Sequence, residues 1–130
     1  MPLFVPTSPG EFLDKLTILE IKSERITDPD KLENVGRELG LLRRAWKVSP
    51  LAARDVTTLV AELKAVNISL WEIEDRIREK EAARTFDAGF IELARSVYRT
   101  NDRRAALKRE LNLALGSELI EEKSYSDYEG

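Results

Sequence analysis

The sequence contains 130 residues, of which 35% are charged and 42% are hydrophobic, and its formal net charge is −3. A chain of this length fits one domain, and its slight acidity argues against a protein that coats nucleic acid or an anionic membrane. Cys and His are absent, which excludes disulfides, Ser-His-Asp and Cys-His catalysis, and metal sites that need a thiolate or an imidazole.

The first predicted helix has a well-marked start. Ser8 is a typical N-cap, Pro9 suits the first helical position, and Glu11 has the spacing of a capping box. We expect this helix to end near Ile26 and to lie at the centre of the core, because its apolar residues occupy more than one face. These residues are Phe12, Leu13, Leu16, Ile18, Leu19, Ile21 and Ile26.

The second predicted helix runs from about Pro29 to Lys47, with Asp28 as its N-cap. Its apolar residues follow a heptad-like spacing of three and four. They are Leu32, Val35, Leu39, Leu42 and Trp46. Gly36 and Gly40 interrupt this helix, and we interpret them as positions where a neighbouring backbone approaches closely.

The third predicted helix, from about Val56 to about Arg84, has the most regular pattern in the chain. Its apolar residues alternate between spacings of three and four. They are Val56, Leu59, Leu63, Val66, Leu70, Ile73 and Ile77. Asp87 is a plausible N-cap for a fourth helix that ends near Leu115, and Gly116 follows where a left-handed C-terminal cap belongs. Two long helices joined by a short turn pack antiparallel.

These elements predict an all-α protein, an antiparallel bundle of about four helices with a long, coiled-coil-like hairpin. We expect one domain over residues 1–116, followed by an acidic, flexible tail over residues 117–130. No apolar run approaches the ~18 residues of a membrane span, and the start lacks the pattern of a signal peptide. We therefore expect a cytoplasmic protein that does not cross a membrane.

Three polar residues interrupt the predicted apolar stripe of the fourth helix. Asn101, Arg104 and Lys108 fall between the apolar residues Val97 and Leu111. Polar residues on such a seam can fix the register of two helices, which is the structural interpretation that we favour. The alternative is a ligand site that presents these three side chains to an anion inside the bundle.

A guanidinium at position 104 requires a counter-ion if it is buried. We expect Arg104 to lie at least partly inside the bundle, within ion-pair reach of a carboxylate from helix three or helix one. The expected acceptors are Glu72, Glu74, Asp75 and Glu20. Asp14, Lys15 and Lys22 are further charges of helix one that either extend to solvent or line the same pocket.

Six basic residues and one acidic residue lie between Arg95 and Arg109. Such a run can bind phosphate or RNA, but it is more often a solvated face paired with acidic neighbours. We favour internal pairing with the carboxylates of helix three between Glu72 and Glu81, and we expect no nucleic-acid partner.

Three segments resemble a family of short bacterial proteins known only as a domain of unknown function. The opening motif PGEFLDKLTILEIK (residues 9–22) is the most specific, and LWEIED (residues 70–75) and YRTNDRR (residues 98–104) accompany it. The resemblance spans nearly the whole chain. It implies a stand-alone cytoplasmic protein without an established activity, and it supplies no catalytic residues.

Two classes of function remain open. The first is a protein-interaction module that forms a homodimer or binds another protein, with Leu41, Val60 and Trp71 as candidate surface residues. The second is a binder of an anionic metabolite, or an enzyme, with a pocket lined by five residues. They are Asn101, Arg104, Lys108, Glu74 and Glu20. A solvent-connected cavity at Arg104 favours the second class. We assign no catalytic residue, metal site or cofactor, and the question of enzymatic activity stays open.

Overall fold

A computed structural model describes residues 1–128 and confirms the all-α bundle. Its four α-helices end within about two residues of the predicted positions. They are α1 (Pro9–Arg25), α2 (Pro29–Val48), α3 (Thr57–Ala82) and α4 (Ala88–Ala114). A short 3-10 helix, Pro50–Ala53, occupies the connection between α2 and α3 and was not predicted.

The cap residues that define the predicted helix starts all act as predicted. The side chain of Ser8 accepts the backbone N–H of Glu11, and Asp28 and Asp87 likewise accept N–H groups from the first turns of α2 and α4. These bonds satisfy donors that have no partner inside the helix. Gly116 ends α4 in the left-handed region, at φ 66°, as the sequence predicts.

Helix α1 is the central element, as expected from its apolar residues on several faces. Its backbone packs against α2, α3 and α4, whereas the backbone of α2 approaches only α1 and the 3-10 helix. One core cluster joins α1 to the hairpin of α3 and α4. Its buried members are Leu13, Leu63, Leu107, Leu111 and Leu115. A smaller cluster of Leu19, Val35 and Leu39 joins α1 to α2.

The close backbone approach occurs at Gly10 and not at the two glycines of α2, so the prediction for Gly36 and Gly40 is wrong. A Cβ atom on Gly36 would meet nothing within 4 Å, and one on Gly40 would meet only a side-chain atom of Arg44. A Cβ atom on Gly10 would instead collide with the backbone carbonyl oxygen of Lys108. The absence of a side chain at Gly10 therefore lets α1 pack directly against α4.

The hairpin of α3 and α4 has two unlike halves. We call residues 57–72 and 101–114 the base and residues 73–100 the arm. The base contains all the buried residues of both helices, from Leu63 and Asn67 in α3 to Leu107 and Leu111 in α4. No residue of the arm is buried. The difference follows from α1, which covers the base.

The chain after α4 lies back along that helix. The carboxylate of Glu121 binds Lys108 at 3.0 Å, and the ring of Tyr128 lies against the ring of Tyr98 with centroids 4.8 Å apart. Residues 129 and 130 of the predicted tail lie outside the described residues. Among residues 1–128, no helix has the length and apolar character needed to cross a bilayer.

Candidate functional site

A buried carboxylate links three helices at the base of the hairpin. The side chain of Asp14, on α1, is 2% exposed. Its Oδ1 accepts hydrogen bonds from Nε of Arg104 and from Nδ2 of Asn67, both at 2.9 Å, and its Oδ2 accepts from Nη2 of Arg104. The second N–H of Asn67 donates to the hydroxyl of Thr17 at 3.0 Å. The charge of Asp14 is therefore paired and hydrogen-bonded, as a buried charge must be.

The approach at Gly10 places Asp14 opposite Arg104. The backbone N–H of Gly10 donates to Oδ1 of Asn112 on α4 at 2.7 Å, so that side chain satisfies one of the free donors at the start of α1. Asp14 lies four residues further along α1, and Arg104 lies four residues before Lys108 on α4. Because the two helices run antiparallel, these side chains meet one turn beyond the contact at Gly10.

One edge of the Arg104 guanidinium binds Asp14, and the rest of the group forms no hydrogen bond within residues 1–128. Its hydrogen bond to Asp14 raises the pKa of the guanidinium, while partial burial acts in the opposite direction. Two of its five N–H donors bind Asp14, and the other three meet no acceptor among residues 1–128. The side chain remains 28% exposed. The predicted ion pair with helix one is present, but none of the four expected carboxylates supplies it.

The exposed edge of Arg104 lines a solvent-open cleft of about 480 Å³ between the second half of α1 and the hairpin. Ten residues from α1, α3 and α4 form its surface. They are Ile18, Ile21, Asn67, Leu70, Trp71, Glu74, Asp75, Arg78, Asn101 and Arg104. Three of the five predicted site residues, Asn101, Arg104 and Glu74, are thus brought together. The volume is in the range of small-molecule sites in proteins.

The other two predicted site residues lie outside this cleft. Lys108 binds Glu11 at 2.6 Å and Glu121 at 3.0 Å. Burial lowers the pKa of Lys108, but the hydrogen bonds to these two carboxylates outweigh burial and raise it overall. Glu20 binds Arg43 of α2 at 3.3 Å. The structure therefore does not bring Lys108 and Glu20 together with Arg104 in this cleft.

The stripe predicted for the fourth helix also needs a correction. The fully buried residue at the centre of this face is Leu107, which packs with Leu111 and Leu115. Arg104 and Lys108 lie beside this stripe, where each reaches a carboxylate of α1. Successive helical positions are 100° apart, so the correct stripe differs from the predicted one by a single residue.

The basic run of α4 is paired internally, as the favoured interpretation predicts. Its partners are not the carboxylates of α3 between Glu72 and Glu81, which was an error of register. The observed pairs are Arg95–Glu92, Arg99–Glu92, Arg103–Glu62, Arg104–Asp14, Lys108–Glu11 and Arg109–Glu122. Nowhere in residues 1–128 do three or more carboxylates come together in a way that could hold a metal ion.

The contact between Asp14 and Asn67 in this site was not predicted from the sequence. A carboxylate inside an otherwise apolar helix and an amide next to the apolar stripe of α3 were the available signals. Neither signal shows that the two side chains meet, because they are separated by 53 residues in the chain.

The model of a protein family described as a family of unknown function (DUF6165) matches residues 3–128. The chain belongs to this family, in agreement with the resemblance of its motifs. No curated protein and no solved structure matches it significantly.

Proposed function

We propose that the protein is an interaction module that self-associates as a dimer through the arm of its hairpin. The observation that supports this proposal is the absence of any buried residue between positions 73 and 100. Apolar residues continue through the arm, but all of them stay at least partly exposed. The half-buried ones are Ile73, Ile77, Phe90, Leu93 and Val97. Two helices alone leave one side of their shared seam open to water, and a second hairpin would close it.

The end of the arm adds apolar surface that faces solvent. Phe86 and Ile91 are more than half exposed, and the ring of Phe86 packs edge-on against Phe90 with centroids 5.2 Å apart. Apolar side chains clustered in this way at one end of a molecule are typical of an interaction site. They extend the open seam to the turn between α3 and α4.

The charges of the arm favour a second copy of the same chain as the partner. Near the end of α3, Glu79 and Glu81 form no ion pair within residues 1–128, and the intervening Lys80 binds Asp87 instead. The arm segment of α4 has an excess of basic residues, since Arg95 and Arg99 share the single carboxylate of Glu92. A two-fold axis that sets α3 of one copy beside α4 of the other would pair opposite charges twice.

Light scattering on two matched variants of α4 tests this proposal. Ile91 and Leu113 are 57% and 63% exposed, but only Ile91 lies in the arm. We expect a dimer mass for the wild-type protein at tens of micromolar, a monomer mass for Ile91→Glu, and an unchanged dimer for Leu113→Glu. A monomeric wild-type protein would contradict self-association, and an unaffected Ile91→Glu dimer would exclude the arm as its interface.

The earlier surface candidates provide a further control. Leu41 is exposed on α2, whereas Val60 packs against the core and Trp71 lines the cleft. We expect the dimer to persist in Leu41→Glu, because α2 lies away from the arm. Loss of the dimer in this variant alone would place the interface on α2 and overturn the assignment to the arm.

A further inference from the structure

We propose that the cleft at Arg104 binds a small zwitterion with an apolar side chain, in the manner of a free α-amino acid. The argument depends on hydrogen-bonding groups of the cleft that the protein leaves unused. It does not depend on self-association, since all the groups come from one chain.

The first unused group is the side-chain carbonyl of Asn67. This residue lines the cleft and is 5% exposed. Both N–H bonds of its amide are used by Asp14 and Thr17, while its Oδ1 accepts no hydrogen bond from residues 1–128. Among residues 1–128, every fully buried side-chain oxygen or nitrogen has a hydrogen-bond partner, so Oδ1 of Asn67 is not fully buried. Because Asn67 lines the cleft, a ligand donor bound there can satisfy this oxygen.

Donors face the same cleft from α4. Asp14 fixes the guanidinium of Arg104 along one edge and leaves three N–H groups free. The amide of Asn101, three residues earlier on α4, has no hydrogen-bond partner among residues 1–128 and also lines the cleft. A guanidinium held in place by a buried carboxylate, next to a free amide, can bind a ligand carboxylate without being reorganised first.

Acceptors stand at the rim on α3. Glu74 and Asp75 line the cleft, and neither forms an ion pair with a residue in positions 1–128. Together with Asn67 they can receive the N–H groups of an ammonium. Apolar side chains complete the surface, with Trp71 and Leu70 on α3 facing Ile18 on α1 across the cleft.

The balance of charge distinguishes a zwitterion from the purely anionic ligand suggested by the sequence. The cleft and the residues directly beneath it contain three carboxylates and two guanidiniums. The carboxylates are Asp14, Glu74 and Asp75, and the guanidiniums are Arg78 and Arg104. An anion without an ammonium would leave the two rim carboxylates unpaired beside it. A ligand that carries both charges satisfies each side of the cleft.

The experiment compares three probes that differ by one charged group. L-phenylalanine carries both charges, 3-phenylpropanoate lacks the ammonium, and phenethylamine lacks the carboxylate. We expect L-phenylalanine to bind in ligand-observed NMR and calorimetric titrations, and each truncated probe to bind at least tenfold more weakly. The proposal is overturned if L-phenylalanine does not bind, or if either truncated probe binds as tightly.

Two exposed glutamates of α3 provide the matched variants. Glu74 lines the cleft, whereas Glu79 lies on the same helix outside it. We expect Glu74→Gln to weaken L-phenylalanine binding about tenfold and Glu79→Gln to leave it unchanged. Equal effects of the two variants would place the probe elsewhere. The same titration on Ile91→Glu is expected to give the wild-type affinity, so that failure of the dimer proposal stays distinguishable from failure of this one.

Discussion

The base and the arm are built from the same two helices, yet only the base has buried residues. In the base, α1 provides a third surface that covers Leu63 and Leu107 and pairs Arg104 with Asp14. In the arm, where the C-terminal segment contacts Tyr98, the apolar residues of α3 and α4 all stay at least partly exposed. A regular apolar pattern therefore does not give a hairpin a buried core along its whole length. A third element determines where its core forms.

The largest loss of stability is expected when the buried charge that α1 contributes to the base loses its counter-ion. Arg104→Ala leaves the carboxylate of Asp14 buried without its counter-ion, and we expect the free energy of unfolding to fall by about 3–5 kcal/mol. Arg103→Ala, which breaks an exposed pair with Glu62, is expected to cost at most about 1 kcal/mol. Urea denaturation measures both. Similar losses for the two variants would show that the buried carboxylate of Asp14 does not need the guanidinium of Arg104 as its counter-ion.

A pair of leucine substitutions compares the two regions directly. Leu107 is fully buried in the base, whereas Leu93 is half-buried in the arm. We expect Leu107→Ala to reduce the free energy of unfolding by about 2–5 kcal/mol. For Leu93→Ala we expect about 1 kcal/mol, roughly half the transfer free energy of a buried leucine. Denaturation below the concentration at which the protein dimerises gives both values, and a reversed order would contradict the division into base and arm.

Two glycines test how α1 reaches the base. Gly10→Ala places a Cβ atom against the carbonyl oxygen of Lys108, and we expect a loss of about 1–3 kcal/mol from overpacking. Gly36→Ala meets empty space inside α2, where alanine is expected to add about 1 kcal/mol to stability. Opposite shifts in the thermal midpoint are therefore expected. A stabilising Gly10→Ala would mean that α1 can move away from α4 at no cost.

The smallest expected change in stability concerns the chain after Ala114, which lies back along α4. The hydrogen bond and the charge of Lys108 lower the pKa of Glu121. A depressed carboxyl pKa stabilises the fold above the ordinary glutamate pKa, and this contribution is lost as the pH falls through the lowered value. For an exposed pair it is at most about 1 kcal/mol. We expect wild type to exceed Glu121→Gln in stability at neutral pH. This difference is expected to shrink below about pH 4.3 and to vanish once the pH is below the lowered pKa of Glu121. A difference that persists in acid would rule out this ion pair as its cause.

Local signals in the sequence predict the helices well, and long-range contacts explain what they miss. The caps at Ser8, Asp28 and Asp87 act within a few residues of themselves, so a short motif is sufficient to place them. The partner of Arg104 depends on which residue of α1 lies against α4. Asp14 is 90 residues away in the chain, and the approach at Gly10 that brings it there has no local signature.

Register explains the remaining errors in the candidate site. An amphipathic pattern locates the apolar face of α4 to within about one residue. This margin is the difference between the buried Leu107 and its neighbour Lys108. The sequence therefore predicts Asn101, Arg104 and Glu74 as neighbours of one cleft but also assigns Lys108 and Glu20 to it. Their actual partners, Glu11 and Arg43, depend on the packing of α1 between its neighbours.

Amide hydrogen exchange measured residue by residue, at low and at high protein concentration, tests most directly whether the arm needs a second copy. At low concentration we expect the amides of the base to exchange only through global unfolding and those of the arm through local opening at much lower free energy. At high concentration the protection of the arm should rise toward that of the base, while the base changes little. Equal protection of arm and base at low concentration, with no change at high concentration, would contradict both the division of the hairpin and the proposed dimer.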